Sequence, residues 1–247
     1  MKIALTKTRI DVLLVERGLA PTREKARALL MAGQVRVGER PVTKPGVLVA
    51  PDAPVFLKER LPFVGRGGVK LARALDAFHM DVRRAVFLDV GASTGGFTDC
   101  LLQREAARVY AMDVGHAQLD LRLRTDPRVV VIEGVNARYP FSLPETVAAA
   151  TVDVSFISLT KVLPSVAQHV SPGGFILPLL KPQFEAEREE VGRGGIVRDP
   201  KVHARILGRF ILWVVERSWR LRGLVSSPLL GDAGNREFFF LLQLPNR

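Results

Sequence analysis

The 247-residue chain is 47% apolar and carries 36 Lys/Arg against 25 Asp/Glu, so it can bury the core of one or two domains at a formal charge of +11. Its single cysteine, Cys100, excludes a disulfide framework and a cysteine-rich metal site, and no stretch approaches the ~18 apolar residues that cross a bilayer. The first residues, "MKIALTKTRIDVL", lack the apolar core and cleavage site of a signal peptide, so the expected setting is the cytoplasm, with no membrane partner.

In chain order, residues 8–17, "TRIDVLLVER", read as a helix: Thr8 and Asp11 three residues later resemble a capping box, and Gly18 offers a stop. A second helix starts at Thr22, "TREKARALLMAG". Its Arg23, Lys25 and Arg27 oppose the helix dipole, a cost that suggests use. "QVRVGERPV" then alternates, with Val35, Val37 and Val42 inward and Arg36, Glu39 and Arg40 outward around Gly38. With the short strand "APVFLKE", these elements make a small α+β domain over residues 1–60. "RLPFVGRGG" (60–68) supplies the joint, and a linker is placed at 61–66. Residues 1–85 hold 17 Lys/Arg and 8 Asp/Glu, residues 86–247 hold 19 and 17, so the positive excess sits where a polyanion would be met.

From residue 67 onward the pattern changes. "GGVKLARALDAF" places Leu71, Ala74, Leu75 and Phe78 on one helical face. Strands at 86–89, 109–113, 129–132, 150–154 and 175–180 alternate with helices at 95–103, 117–123 and 159–168. A long amphipathic helix (202–217) and strands near 221–226 and 238–244 follow. Alternation of this kind predicts an α/β, Rossmann-like, doubly wound sheet over 67–247.

"FLDVGASTGGFTDCL" (87–101) is a strand, a glycine turn and a helix start, the arrangement that holds ligands on backbone N–H groups. Phe97 after Gly96 excludes a P-loop, and G-x-x-x-G-G does not match the dinucleotide fingerprint. S-adenosylmethionine fits best: its carboxylate suits exposed amides at the helix start, and Asp113, ending the next strand, can accept both ribose hydroxyls. Donor contacts are expected from Asp89, Gly91, Ser93, Thr94, Gly95, Gly96, Phe97, Asp113 and Val114. Asn136 either contacts the adenine or caps its own loop. A side chain added at Gly95 or Gly96 is expected to obstruct the donor and leave the fold intact. Cys100, among Phe97, Leu101 and Leu102, is expected to be a buried thiol.

Four separated charged residues stand out: Lys70 opens the helix before the first strand, Asp153 in "TVDVSFIS" and Lys181 in "FILPLLKPQFE" end apolar strands, and Glu237 in "GNREFFF" begins the last one. Carboxyl ends of strands converge on one crevice, so Asp153 and Lys181 are expected to face the ligand of the glycine loop. This order resembles the Lys-Asp-Lys-Glu tetrad of FtsJ-type ribose 2′-O-methyltransferases. "FVGRGGVKL", "DVGASTGGFTD", "DVSFIS", "LLKPQFE", "GGIVRDP" and "GNREF", which together span nearly the whole chain, resemble the TlyA (hemolysin A-like) family of ribosomal RNA methyltransferases. The front domain is similar to the alpha-L RNA-binding module of a ribosomal small-subunit protein and of tyrosyl-tRNA synthetases. Gly65 stands where the family is expected to have Ser, in the linker.

The resemblance implies methylation of a cytidine ribose in ribosomal RNA, as free RNA or within ribosomal subunits, with Lys70, Asp153, Lys181 and Glu237 as the catalytic set. Lys181 is the expected base: burial and the neighbouring Lys70 favour an uncharged amine, while Asp153 and Glu237 orient the lysines and the hydroxyl. Arg9, Arg23, Lys25, Arg27, Arg36 and Arg66 are expected to hold RNA phosphates. At 7% aromatic residues, an extended base-stacking platform is not expected. No metal is required, and His79, His116, His169 and His203 are scattered. The rival readings are an RNA-binding assembly factor with an inactive methyltransferase fold, a hemolysin, and a nicotinamide oxidoreductase that the loop spacing disfavours.

Overall fold

The computed structural model describes residues 7–57, 62–231 and 233–246. The chain divides into two compact units, Met1–Arg60 and Leu61–Arg247.

In the first unit, β1 (Thr8–Arg9) leads into α1 (Ile10–Glu16), followed by α2 (Arg23–Met31), β2 (Val35–Val37), β3 (Arg40–Val42), β4 (Leu48–Val49) and β5 (Val55–Leu57). The alternating valines form the expected hairpin, Val35 opposite Val42, and β5 pairs with the other edge of β2. The two helices bury Ile10, Leu13, Leu14, Ala26 and Leu30 against Val35, Val49 and Val55. Thr22 caps α2, accepting from the Lys25 amide at 3.2 Å.

The start of α1 departs from the capping-box expectation. Thr8 and Arg9 are strand residues paired with Val49 and Leu48, and the helix begins at Ile10 with no side-chain cap. Asp11 is instead fully buried and accepts from Arg9 Nε (3.0 Å) and Arg23 Nε (2.9 Å). A buried carboxylate requires such partners, and these two tie α1 to α2. Hydrogen bonding by Arg9 holds the Asp11 carboxyl down at about 2, with Arg23 adding to the effect.

The second unit begins with α3 (Arg66–Ala77) and continues through β6 (Val86–Val90), α4 (Gly96–Gln103), β7 (Arg108–Asp113), α5 (Leu121–Arg124), β8 (Val129–Glu133), β9 (Val147–Val152), α6 (Leu163–Ala167), β10 (Val170–Leu180), α7 (Pro200–Glu216), β11 (Arg220–Ser226) and β12 (Phe238–Gln243). Arg60 and Leu61, the start of the expected joint, lie outside the described residues. From Pro62 on, that segment is docked on α4: Gln103 Nε2 donates to the Pro62 carbonyl (2.9 Å), and the Val64 amide donates to Asp99 (2.8 Å).

Among the described residues the sheet order is β11-β12-β10-β9-β6-β7-β8. β8, β7, β6, β9 and β10 run parallel, and β12 pairs antiparallel with β10 and β11. Both faces are covered, as the sequence alternation predicts. On one face Leu71 and Leu75 of α3 and Phe97 and Leu101 of α4 pack on Phe87, Val109 and Phe239. On the other, Val166 of α6 and Phe210 and Val214 of α7 pack on Leu88, Val152 and Phe240. Adjacent residues along β6 and β12 thus face opposite layers, the two-residue period of a strand buried on both sides. Strand order reverses between β6 and β9, and ligands bind such sheets outside the carboxyl ends at that point. β9 ends at Val152, short of the expected 154, and β10 starts at Val170, earlier than expected, with an irregular register before Phe175. The helix expected at 117–123 is a single turn capped by Asp120.

Candidate active site

The glycine turn after β6 is built by close approach. Gly91 has φ +83°, and a Cβ there would lie 2.3 Å from the Asp153 carbonyl oxygen. Its amide and that of Ala92 both donate to the Met112 carbonyl, at 2.8 and 3.0 Å. Gly95, with φ +99°, opens α4, and a Cβ there would meet Leu123 Cδ1 at 2.2 Å. Gly96 lies so close to α3 that a Cβ would sit 2.9 Å from the Gly68 amide nitrogen. The expectation that a side chain at Gly95 or Gly96 would spare the fold is therefore corrected: Gly95 is required by its left-handed backbone and Gly96 by its packing on the backbone of α3.

Asp113 accepts from the Ser93 amide (Oδ2, 2.8 Å) and the Gly115 amide (Oδ1, 2.8 Å), which fixes its carboxylate at the carboxyl end of β7. Val114, exposed, follows it. Asn136 accepts from the Arg138 amide at 3.0 Å, so it caps its own loop, and it is also among the residues lining a cleft beside Asp113. Asp89 is fully buried, receiving the Thr98 hydroxyl (2.7 Å) and the Thr151 hydroxyl (2.9 Å). Burial pushes its carboxyl up to about 6, the two threonines counter that rise, and the Asp153 charge adds to it. Cys100 is buried, and burial pushes its thiol up to about 12, which marks it as an inert core group.

The four charged residues singled out in the sequence meet in one cleft of about 770 Å³. Lys70, buried on α3, donates to Glu237 Oε2 at 2.6 Å, and Glu237 is itself buried just before β12. Lys181, one residue beyond β10, donates to Ser155 Oγ at 2.9 Å and lies 2.6 Å from Asp153 Oδ1. That oxygen is buried with no directed hydrogen bond, so the contact to Lys181 is ionic. Each lysine thus has a carboxylate of its own. A second cleft of about 940 Å³ holds Asp113, Val114 and Asn136 and shares Gly91, Ser93, Asp153, Ser155, Phe156 and Phe184 with the first. Ser93, Thr94, Gly96 and Phe97 all reach the first cleft.

Three features of the cleft escape sequence reasoning. Ser155 bridges to Lys181. Phe156 is 90% exposed with φ +63°, its ring 5.1 Å from that of Phe184. Asn235, buried, accepts from the Val197 amide (2.9 Å) and donates to the Gly195 carbonyl (2.8 Å), holding the 192–197 loop that walls the cleft. Ser155 and Phe156 lie within "DVSFIS" and Asn235 within "GNREF", so the motifs marked the segments while the exposure of a phenylalanine had no signal.

Of the basic residues expected to meet RNA, Arg9 and Arg23 are spanned over Asp11 and Arg36 over Glu39, each remaining partly exposed. Lys25 and Arg27 are exposed on α2. Arg66, in the second unit, donates to the Leu230 carbonyl at 3.0 Å and lines the cleft of the lysines. Among the described residues no group of His, Cys, Asp and Glu could hold a metal ion, and no helix is long and apolar enough to cross a membrane.

A family model described as FtsJ-like methyltransferase matches residues 63–244, and one described as S4 domain matches residues 8–55. The chain belongs to the FtsJ-like methyltransferase family. It is 49% identical over 246 residues to a Bacillus subtilis protein provisionally named rRNA methyltransferase YqxC, covering 97% of this chain and 86% of that one. It is 44% identical over 241 residues to the 16S/23S rRNA (cytidine-2′-O)-methyltransferase TlyA of Mycobacterium tuberculosis, covering 96% and 90%. A solved structure provisionally described as a hemolysin from Streptococcus thermophilus superposes with a TM-score of 0.74 at 41% identity, covering 99% of this chain and 92% of that one. The TlyA-type resemblance read from the motifs and the α/β fold read from the alternation both agree with this membership.

Proposed function

We propose that this methyltransferase moves a methyl group from S-adenosylmethionine to the 2′-hydroxyl of a cytidine in ribosomal RNA. The observation that carries the reading is the convergence of Lys70, Asp153, Lys181 and Glu237, from four elements, beside the glycine turn and Asp113. The relatives named as rRNA methyltransferases support the choice of substrate, and the S4 match supports RNA as the partner of the first unit.

The residues present suit the donor. Gly91 and Ser93 of the turn line both clefts, and Asp113 keeps acceptor positions beyond its two amide bonds. The donor, when bound, supplies a sulfonium methyl and leaves as the neutral thioether once the ribose oxygen has formed its bond to that methyl. The chain's part is to hold the hydroxyl and take its proton. Lys181 Nζ accepts it as the uncharged amine and not as the ammonium of the ion pair, Asp153 and Ser155 fix that nitrogen, and the Lys70–Glu237 pair anchors the opposite wall. Phe156 and Phe184 offer apolar area at the mouth for the target base, and the basic front unit supplies phosphate contacts.

Incubation of the purified protein with labelled donor and ribosomal RNA or subunits, followed by mass mapping of the digested RNA, tests the reading. A 2′-O-methylcytidine at a defined site is the expected product. Label confined to base positions, or no label in any RNA or subunit preparation, overturns it. Vesicle lysis by the same preparation without RNA methylation would favour the hemolysin reading.

A further inference from the structure

β9 and β10 are adjacent parallel strands, and the segments leaving their carboxyl ends meet at three successive points. At the first, Lys181 contacts Asp153 and Ser155. At the second, Phe184 meets Phe156. At the third, Glu185 accepts from the Ser158 hydroxyl (Oε2, 2.7 Å) and the Leu159 amide (Oε1, 2.7 Å). We propose that Glu185 is a positioning residue for methyl transfer, its carboxylate bridging Ser158 and Leu159 so that residues 154–157 hold Ser155 and Phe156 in register with Lys181. The inference rests on the reaction proposed above and adds a residue to it.

The loop cannot hold this shape unaided. A bulky residue at φ +63° that is 90% exposed gains little burial to offset an unfavourable backbone, which costs about 1–3 kcal/mol. Both flanks must therefore be fixed. The sheet fixes the upstream flank, where the Asp153 amide donates to the Val90 carbonyl at 2.9 Å. Glu185 fixes the downstream flank, where Ser158 also accepts from the Thr160 amide to start the turn Leu159–Lys161. Glu185 is secured in turn by Arg209 of α7, which donates to its backbone carbonyl.

The choice of a carboxylate points the same way. Glu185 lies in a mostly buried position, where burial raises its carboxyl and the bonds from Ser158 and Leu159, with the charges of Arg209 and Lys161, oppose that rise. A residue that only filled space would avoid this desolvation. Here each oxygen takes one donor, and both donors belong to the loop it steadies.

Single-turnover methyl transfer at saturating donor and ribosomal RNA, with the full-length chain, tests the inference in Glu185→Ala and Glu185→Gln. A displaced loop costs on the order of 10–100-fold in rate. The Ala variant should lose that much while donor affinity by calorimetry and RNA affinity stay within about twofold. The Gln variant should recover to within about threefold of wild type, since its oxygen still accepts from Leu159 and its amide can donate to Ser158. Ser158→Ala, which removes one bond only, should fall between and serves if Glu185→Ala does not fold. An Ala variant at the wild-type rate, a loss seen entirely in donor or RNA affinity, or a Gln variant no better than Ala overturns the positioning role. A wild type that methylates no RNA overturns the underlying reaction and this inference together. An active wild type with an unimpaired Ala variant overturns this inference alone.

Discussion

At the scale of single residues, Lys181 and Asp89 illustrate two uses of burial. Lys181 is steadied by Ser155 and Asp153 in the cleft, and in the proposed reaction its amine takes the ribose proton. Lys181→Ala should lower single-turnover transfer by ~10²–10⁴-fold, the span of a missing general base, with donor affinity unchanged. Lys181→Arg should fail similarly, because a guanidinium keeps its proton at any usable pH. Near-normal turnover in the Arg variant would reduce the lysine to a positive anchor. Asp89 concerns stability. Its folded value of about 6 lies above the ordinary carboxylate value of 3.8, so its contribution is fully present below pH 4 and is lost as pH rises through about 6. The penalty above that point is about 3 kcal/mol. Asp89→Asn should therefore melt higher than wild type at pH 7.5, and the gap should close toward pH 4. Parallel calorimetric melting curves across that range would contradict the buried ionisation.

At the scale of elements, Asp11 shows where local pattern ends. Thr8 followed by Asp11 matches a capping signature, yet Thr8 and Arg9 pair with Val49 and Leu48, partners about 40 residues away that no local period reveals. The carboxylate becomes the buried tie between α1 and α2 through Arg9 and Arg23. Its folded value, about 2, lies below the ordinary 3.8, so its stabilisation is present above pH 4 and is lost as pH falls toward 2. Asp11→Ala leaves two arginines without their acceptor and should destabilise the first unit by about 1–3 kcal/mol at pH 7. Hydrogen exchange of α1 and α2 peptides should accelerate in the variant, and protection at the wild-type level would show the tie to be dispensable. The glycines teach a related lesson. Gly91 and Gly95 were legible as a glycine turn between strand and helix, but the close approach of Gly96 to Gly68 joins residues 28 positions apart and made a fold requirement of what reads as loop freedom. The parallel strands were legible because strands buried on both faces read as continuous apolar runs, Asp153 and Lys181 because strand ends converge, and Lys70 and Glu237 only through the resemblance to the tetrad. Phe156 was not, since an apolar residue in an apolar motif gives no sign of being exposed.

At the scale of the whole molecule, the proposed function divides its two binding tasks between the two units. The donor turn, Asp113 and the four charged residues all lie within Leu61–Arg247, while the basic helix α2 lies within Met1–Arg60. Arg23 has a structural duty toward Asp11, so its replacement would mix destabilisation with weaker phosphate capture. Lys25 and Arg27, exposed on α2, are the cleaner pair. Neutralising both should weaken binding to ribosomal RNA and lower the slope of log affinity against log salt by about 0.7–0.9 for each phosphate no longer held. Adding Arg23→Gln should lower the slope again and also speed exchange in α1 and α2. Donor affinity should stay at the wild-type value in every variant, because no donor-facing residue is touched. Titrations at several salt concentrations separate the outcomes: an unchanged slope in the Lys25/Arg27 pair would mean that these cations are only solvated and that phosphate capture lies elsewhere on the chain.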